Sequence, residues 1–317
     1  MNLSLLILLP LLSALGVLLV KTNGQIKTVA LVGSLAQLLV CGWLLYSFWH
    51  ERATGNVAHM LFEYDQTWFA AFNIHYHVGI DGIALSMILL TAAVVAAGIL
   101  VSWTQETMSK EYFFLLLLLS MGAYGFFISL DLFTMFFFLE VAVIPKFMLI
   151  GIWGSGKKEY SAMKLALMLM AGSALVFVGL AGIYYSSNVG GAHSFDMLQL
   201  GASKMDPVLQ NIFFPFAFVG FGIFTALFPF HTWVPDGHSS APTAASMFLA
   251  GISMKLGGYG CLRVATYLMP DAAHTYSWII ILLSTIAIIY GAFATMMQTD
   301  LKYINAYSSV SHCGFVL

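Results

Sequence analysis

Apolar residues run along this chain in blocks long enough to cross a bilayer, and short polar connections separate the blocks. A membrane-spanning helix needs about 20 mainly apolar residues. That criterion predicts helices over residues 3–20, 28–49, 78–102, 112–129, 132–153, 161–185, 210–229, 243–268 and 275–297, with a tenth from near Ile304 to Leu317. Because such a run is not expected to stop in mid-bilayer, the pattern predicts a truncated chain or one piece of a split protein.

The composition agrees with a polytopic membrane protein. The chain is 60% hydrophobic and 8% charged, with a mean hydropathy of +0.90, whereas a soluble domain is about 25% charged. We therefore expect an all-α bundle over residues 1–317. The net charge of −2 suggests neither a nucleic-acid partner nor a basic membrane anchor. The first apolar run lacks a preceding basic region and an A-x-A-like cleavage site, which favours a retained helix over a signal peptide.

Lysines in the connections predict the orientation, since Lys and Arg concentrate on the cytoplasmic side. If the helices alternate, the loops carrying Lys21 and Lys27, Lys157 and Lys158, and Lys302 fall on one side, which places the N-terminus outside. The longest hydrophilic stretches, near 50–77 and 186–209, are then both outside. The opposite loops are acidic and carry Glu51, Glu63, Asp65, Asp131, Asp196 and Asp271.

Two charges lie near the middle of predicted helices. Glu140 is in the run LFTMFFFLEVAVIPKFMLIGIW, and Lys255 is central in the helix over 243–268. A charge at such a depth costs at least about 2.5 kcal/mol on insertion scales, so it is usually retained for transport or proton transfer. A purely structural Lys–Glu pair holding two helices is the alternative. Gly251, Gly257 and Gly258 flank Lys255, and small residues permit close helix approach.

Lys146 follows Pro145 in the same helix as Glu140. Six positions on a straight helix are about 120° out of phase, so the two charges cannot pair simply unless a kink at the proline changes the geometry. The alternative for Lys146 is a side chain that reaches toward the inner headgroups.

The segment FPFHTWVPDGHSSAPT, residues 228–243, cannot form one regular apolar helix. We expect a helix broken at membrane depth, which is tolerated where it lines a cavity or is buried in protein. His231 and His238 are suited to passing protons, and Asp236 is placed to hold one imidazole in a fixed tautomer. A structural turn without proton transfer is the alternative, and the spacing of the two histidines disfavours zinc.

Other candidates are His312, in SSVSHCGF, and Lys164, one turn into the predicted helix 161–185. A satisfied core histidine and an interfacial lysine are the respective alternatives. The cysteines have no CxxC or Cys/His ligand spacing, so the sequence implies neither an iron–sulfur cluster nor zinc; they are Cys41, Cys261 and Cys313.

Three segments carry a resemblance to a known family: LEVAVIPKFMLIGIWG, FPFHTWVPDGHSSAPTAASMFLAGISMKLGGYGCLR and MQTDLKYINAYSSVSHCGFVL. They closely resemble the M-type antiporter-like membrane subunit of proton-pumping NADH:quinone oxidoreductase, respiratory complex I. The wider family includes subunits of Mrp-type cation/proton antiporters and membrane-bound hydrogenases.

The resemblance implies fourteen helices with two inverted five-helix repeats, each containing a broken helix. About ten are present here: three N-terminal helices (1–110), a first repeat (111–270) with broken helix 7, and the start of a second repeat (271–317). The family's proton path uses a helix 5 glutamate, lysines on helices 7 and 8, histidines, and a charged residue on helix 12, a helix that is not among those predicted here. Carried over by position, these are Glu140, Lys255, His231, His238 and His312.

One departure concerns the family's helix 7 lysine, which lies seven residues before the histidine of the FH pair. Phe224 occupies that position here. We hypothesise that Lys146 supplies the positive partner of Glu140 from a different helix position.

The resemblance implies a proton-translocating complex I subunit with no redox centre of its own. The sequence has no Rossmann or P-loop glycine pattern, so NADH, FMN, iron–sulfur clusters and quinone are expected on partner subunits of a hetero-oligomer in a bacterial inner membrane. The rival predictions are an Mrp-type Na⁺/H⁺ antiporter subunit and a non-pumping structural spacer of the membrane arm.

Overall fold

Helices account for most of the chain. The computed structural model describes residues 2–187, 192–203 and 205–317. The α-helices in these ranges are α1 Leu5–Leu19, α2 Asn23–Ala53, α3 Gly82–Val101, α4 Ser109–Ile128, α5 Leu132–Trp153, α6 Lys158–Ser186, α7 Met197–Ala202, α8 Pro207–Thr225, α9 Trp233–Ser240, α10 Thr243–Phe248, α11 Met254–Gly260, α12 Pro270–Met296 and α13 Leu301–Val316.

Within the described ranges, seven helical segments are long and apolar enough to cross a membrane. They are Asn23–Ala53, Gly82–Thr104, Ser109–Ile128, Leu132–Trp153, Lys158–Ser186, Pro207–Thr225 and Pro270–Met296. The predicted all-α membrane bundle is therefore confirmed, and α5 has the predicted bounds. The apolar helix α1 is shorter, at 15 residues.

Outside the bundle, the predicted hydrophilic loop over 50–77 is instead partly a β-hairpin. Strands β1 (Leu61–Phe69) and β2 (Ile74–Ile80) pair antiparallel, with Tyr64 opposite Val78. Asn73 closes the turn in the left-handed region at φ 51°, which asparagine tolerates better than most residues. Because β2 continues to Ile80, the following helix begins at Gly82 and not at residue 78 as predicted.

Aspartates begin several of the helices. The Asp131 carboxylate accepts hydrogen bonds from the backbone N–H groups of Phe133 and Thr134. Asp81 and Asp300 cap α3 and α13 in the same way. A capping carboxylate satisfies otherwise unpaired N–H groups and interacts favourably with the positive end of the helix dipole. The acidic residues of the polar connections therefore have a structural use at helix ends.

The break after α8 comes earlier than the sequence pattern predicts. α8 ends at Thr225, Ala226 adopts the left-handed conformation at φ 70°, and helix resumes only at Trp233. The predicted helix over 243–268 is helical throughout, with wide π-helical turns at Leu249–Ser253 and Cys261–Thr266. Such π-turns frequently occur at functional sites.

The lysine-bearing connections lie together at one end of the bundle. Lys110 donates to the carbonyl of Leu18, and Lys302 donates to the carbonyls of Ser239 and Ala241. The backbone N–H of Ser155, in the connection that holds Lys157, also donates to the Ser240 carbonyl. The indole N–H of Trp153 also donates to the Thr107 carbonyl, which connects the two groups of contacts. The connections of predicted cytoplasmic location therefore lie next to one another.

Small residues allow the closest helix contact near Lys255. A Cβ on Gly257 would lie 2.5 Å from the Phe221 carbonyl oxygen and 2.5 Å from the Thr225 backbone nitrogen. α11 therefore packs directly against the end of α8, as the glycines around Lys255 predict. This contact joins the region where α8 ends to the π-helical region that contains α11.

Candidate functional site

Glu140 lies half-buried on α5 and is held by the neighbouring helix. The Ser173 hydroxyl of α6 donates a hydrogen bond to Glu140 Oε1. A hydroxyl donor stabilises the ionised carboxylate without neutralising it. Glu140 is therefore positioned by a polar contact that leaves its charge able to respond to protons and to other charges.

Lys146 is fully buried, with 1% of its side chain surface exposed. Its ammonium donates to the Ser253 hydroxyl over 2.6 Å and lies 6.0 Å from the centroid of the Phe224 ring. Ser253 ends the first π-turn. The ammonium thus lies in the bundle interior beside the broken helix region and does not reach toward the headgroups.

The expected direct ion pair between Glu140 and Lys146 is not formed. In the part of the chain that the structure describes, each of these groups contacts a serine on another helix. Helix α5 is continuous through Pro145, so the two side chains leave it about 120° apart.

Lys255 follows the π-turn on α11 and lies half-buried. Its ammonium donates to the carbonyl of Ala250, inside that turn. It lines a cavity of about 510 Å³ together with Thr225, Met254 and His312. The cavity brings together the lysine and histidine that the sequence predicted as successive members of one path.

His238 is buried at the C-terminal end of α9, with 1% of its surface exposed. Its Nδ1 lies 3.0 Å from the Ser246 hydroxyl, and its Nε2 is buried without a protein partner in the described residues. His231 is also buried, stacked on Phe228 and edge-on to the Tyr290 ring at 4.9 Å between centroids. Each histidine therefore retains a ring nitrogen that could exchange a proton.

Asp236 does not orient an imidazole as predicted. It pairs with Lys164 of α6 over 2.6 Å, and about a quarter of each side chain is exposed. Both side chains project near the end of the bundle where Lys302 binds the last carbonyls of the broken helix. Lys164 and Asp236 were predicted separately as site residues, and the structure joins them.

The serines that hold the charged groups were not predicted. Ser173, Ser246 and Ser253 each contact an ionisable side chain from another helix. A serine in an apolar helix usually bonds its own backbone, as Ser120 and Ser129 do here. No local sequence signal separates the two uses.

A second titratable cluster lies outside the membrane-spanning helices. His77 Nδ1 of β2 is 2.5 Å from the Asp196 carboxylate, and Glu63 lies 3.9 Å from the other ring nitrogen. Burial alone lowers the pKa of His77, but the Asp196 bond and the carboxylates of Asp196, Asp65 and Glu63 outweigh it and raise the pKa. Burial likewise opposes ionisation of Asp196, yet hydrogen bonds from His77 and the N–H of Gln199 lower its pKa.

Metal ligation has no geometric basis within the described ranges. No group of three His, Cys, Asp or Glu side chains there is arranged so that it could hold a metal ion, and all three cysteines are buried and free. Glu140, Lys146, Lys255, His231 and His238 are instead spaced singly, each with a hydroxyl, carbonyl or ring beside it. Such an arrangement is suited to moving protons between groups.

A family comparison decides the classification. The family model described as "NADH:quinone oxidoreductase/Mrp antiporter, TM" matches residues 129–317, which include α5 to α13 and every site residue predicted from the sequence. The chain belongs to the NADH:quinone oxidoreductase/Mrp antiporter family. The resemblance seen in the sequence motifs is thereby confirmed.

Individual relatives of this family agree with that placement. The chain is 33% identical over 313 residues to NAD(P)H-quinone oxidoreductase chain 4-2 of Synechocystis sp., covering 98% of this chain and 55% of that protein. It is 36% identical over 323 residues to NADH-quinone oxidoreductase subunit M of Rickettsia bellii, with 99% and 63% covered. The chain thus spans little more than half the length of the curated relatives it matches.

A solved structure supports the antiporter-like fold. A chain of respiratory complex I from Thermus thermophilus superposes with a TM-score of 0.86 at 23% identity, covering 98% of this chain and 63% of that one. At that identity the likeness concerns the fold alone. The fold and the family are therefore established. A proton path through the bundle has to be argued from the residues of this chain.

Proposed function

We propose that this chain is a proton-translocating membrane-arm subunit of an NADH:quinone oxidoreductase, in which protons pass along Glu140, Lys146, Lys255 and the histidines. The observation that carries the proposal is that Glu140, Lys146 and Lys255 are each bound by a hydroxyl or carbonyl and not by an opposite charge. A structural ion pair would instead be expected to neutralise each charge at contact distance. Groups held in this way can change protonation state without breaking a salt bridge.

The spacing of the groups across the bundle supports such a path. Glu140 is on α5, Lys146 reaches from α5 to Ser253, and Lys255 lies two residues further along the interrupted helix. Lys255 then shares a cavity with His312 of α13. In low dielectric, a charge gained at one group changes the free energy of charging the next. A change of protonation at one end of the series can therefore change the protonation of the groups that follow.

Lys146 places a positive charge close to Phe224, the position where the resemblance implies a lysine. The resemblance implies a lysine where Phe224 stands, and the Lys146 ammonium lies within 6.0 Å of the centre of that aromatic ring. We propose that the positive charge has moved from one helix to another while its location in the bundle is retained. Lys146 then acts on Glu140 through space and not by direct contact.

The outer members of the path are proposed from their positions. His238 and His231 would connect the broken helix to the series, while the Lys164–Asp236 pair and His312 would mark its ends. The division into a first repeat over 111–270 and a second from 271 belongs to the same proposal. The end of the bundle carrying the lysine-rich connections would face the cytoplasm of a bacterial inner membrane, with the N-terminus outside.

The energy for transport would come from partner subunits. NADH, FMN, iron–sulfur clusters and quinone would be bound by other chains of a hetero-oligomeric complex. The Synechocystis and Rickettsia relatives are named as a chain and a subunit of such an oxidoreductase. The present chain would contribute translocation and no redox chemistry. Its flanks would contact neighbouring membrane subunits.

Proton pumping by the assembled complex in lipid vesicles tests the proposal. We expect Lys146→Met to reduce NADH-driven pumping more than about 10-fold, which corresponds to a barrier raised by about 1.4 kcal/mol. Lys21→Met is the matched control, since Lys21 is exposed and should leave pumping unchanged. Unchanged pumping in Lys146→Met would refute the role of this lysine.

Two further results separate the rival functions. Sodium-dependent transport in vesicles without any electron donor would favour an Mrp-type antiporter subunit. Full pumping after both Glu140→Ala and Lys255→Ala would favour a structural spacer. The proposed function predicts that neither result is observed.

A further inference from the structure

A separate polar cluster is buried among α1, α2 and α4, away from the proposed proton path. Pro10 lies inside α1 and has no N–H to donate to the carbonyl of Leu6, one turn earlier. The Gln37 side chain of α2 takes that role, because its Nε2 donates to the Leu6 oxygen over 3.3 Å. This bond also fixes the amide orientation, since the reverse would bring two acceptors together.

The bond to Leu6 leaves two polar atoms without protein partners. Gln37 is 3% exposed and Tyr124 of α4 is 0% exposed, yet neither Gln37 Oε1 nor the Tyr124 hydroxyl has a hydrogen-bond partner among the described residues. Buried polar groups in folded proteins are almost always satisfied by protein or by ordered water. A buried acceptor and a buried donor in one place can be satisfied together by one small partner that bonds both.

Both residues line one small cavity. It has a volume of about 10 Å³, close to the roughly 10–15 Å³ that one water molecule requires. The remaining walls include Ser34, Ser120 and the proline ring, and no charged side chain takes part. The neutral lining favours an uncharged ligand over a cation.

The hydrogen-bonding capacity matches one water molecule. The Ser34 hydroxyl donates to the Leu31 carbonyl at 2.9 Å, and the Ser120 hydroxyl donates to the Leu117 carbonyl at 2.7 Å. Each serine oxygen can still accept a bond. A water could accept from Tyr124 and donate to Gln37 Oε1 and one serine oxygen, making about the three bonds typical of buried water.

We propose that a single structural water binds here and joins α2 to α4, next to Pro10 of α1. The water would satisfy Gln37 Oε1 and the Tyr124 hydroxyl, which remain unpaired when the Gln37 amide donates to Leu6. It is independent of the proposed transport function, because it shares no residue with the charged series. Its loss would therefore affect packing of the first helices before it affected proton transfer.

A cryo-EM map of the full-length protein in its complex, at a resolution that shows ordered water, tests the site. We expect a density peak about 2.7–3.0 Å from both the Tyr124 oxygen and Gln37 Oε1. Direct contact between those two atoms, or a cavity without density, would overturn the proposal.

Variants separate water from coincidental density. In Tyr124→Phe the water keeps its acceptors and the peak should remain, whereas in the double variant Gln37→Leu/Tyr124→Phe it should disappear. Tyr112→Phe is the matched control on the same helix, because Tyr112 bonds Ser102 instead, and its map should retain the peak. Density that persists in the double variant would contradict the assigned partners.

Discussion

Replacing Lys146 by methionine is expected to stabilise the fold while it impairs transport. The lysine is 1% exposed, and among the described residues no carboxylate contacts its ammonium. Removing an ammonium from water costs several kcal/mol even after the protein relaxes. Methionine is also unbranched and long, so the substitution removes the charge with little change in the space filled.

The contacts of Lys146 do not offset that cost in full. A hydrogen bond from a charged group, here to the Ser253 hydroxyl at 2.6 Å, contributes about 1.5–3 kcal/mol. The Phe224 ring at 6.0 Å lies at the outer limit of cation–π attraction, worth about 0.5–1 kcal/mol at most sites. We therefore expect Lys146→Met to raise the free energy of unfolding by about 1–4 kcal/mol, the range seen when buried charges are replaced by packed apolar groups.

Thermal unfolding of the purified protein in detergent measures this change. A thiol-reactive dye suits the assay, because the three cysteines of the chain are buried in the fold. Lys146→Ala is the control, since it removes the charge but leaves a cavity that costs several kcal/mol. A fall in Tm for Lys146→Met as large as that for Lys146→Ala would refute the reasoning.

Three further predictions concern other parts of the molecule. The double variant Lys146→Met/Phe224→Lys should recover proton pumping lost in Lys146→Met, and pumping that stays at the single-variant level would count against relocation of the charge. Lys302→Met should lower Tm through the loss of two bonds to the last turn of α9, worth about 1–3 kcal/mol, while Lys302→Arg should retain most of the stability. The His77–Asp196 bond should make Tm pH-dependent. Because the pKa of His77 is raised, its contribution to stability is complete below about pH 6.5 and is lost as the pH rises through the raised pKa. Because the pKa of Asp196 is lowered, its contribution is lost only as the pH falls through the lowered pKa. A matching pH profile in His77→Gln would contradict that assignment.

The membrane helices were largely predictable because their physical requirement is simple. A bilayer demands about 20 apolar residues per span, and the run from Leu132 to Trp153 satisfies this and forms α5 with the same bounds. Glu140 and Lys255 could likewise be selected as charges in apolar surroundings. Both predictions rest on the cost of a charge in a membrane, which sequence alone reveals.

The missed features depend on contacts between distant parts of the chain. Asp236 meets Lys164 across 72 positions, and Ser253 meets Lys146 across 107. The π-turns depend on tertiary packing, which the periodicity does not reveal. The β-hairpin, by contrast, had a local signal in the aromatic and β-branched residues of 61–80, which the low overall hydropathy of that stretch obscured.

The number of protons translocated per electron by the assembled complex tests the central claim most directly. Glu140→Gln keeps the shape of the side chain and its capacity to accept a hydrogen bond from Ser173, but it cannot ionise. We predict that the ratio falls in Glu140→Gln and is unchanged in Glu111→Gln, a matched control at an exposed site. An unchanged ratio in Glu140→Gln would contradict the proposed path through this chain.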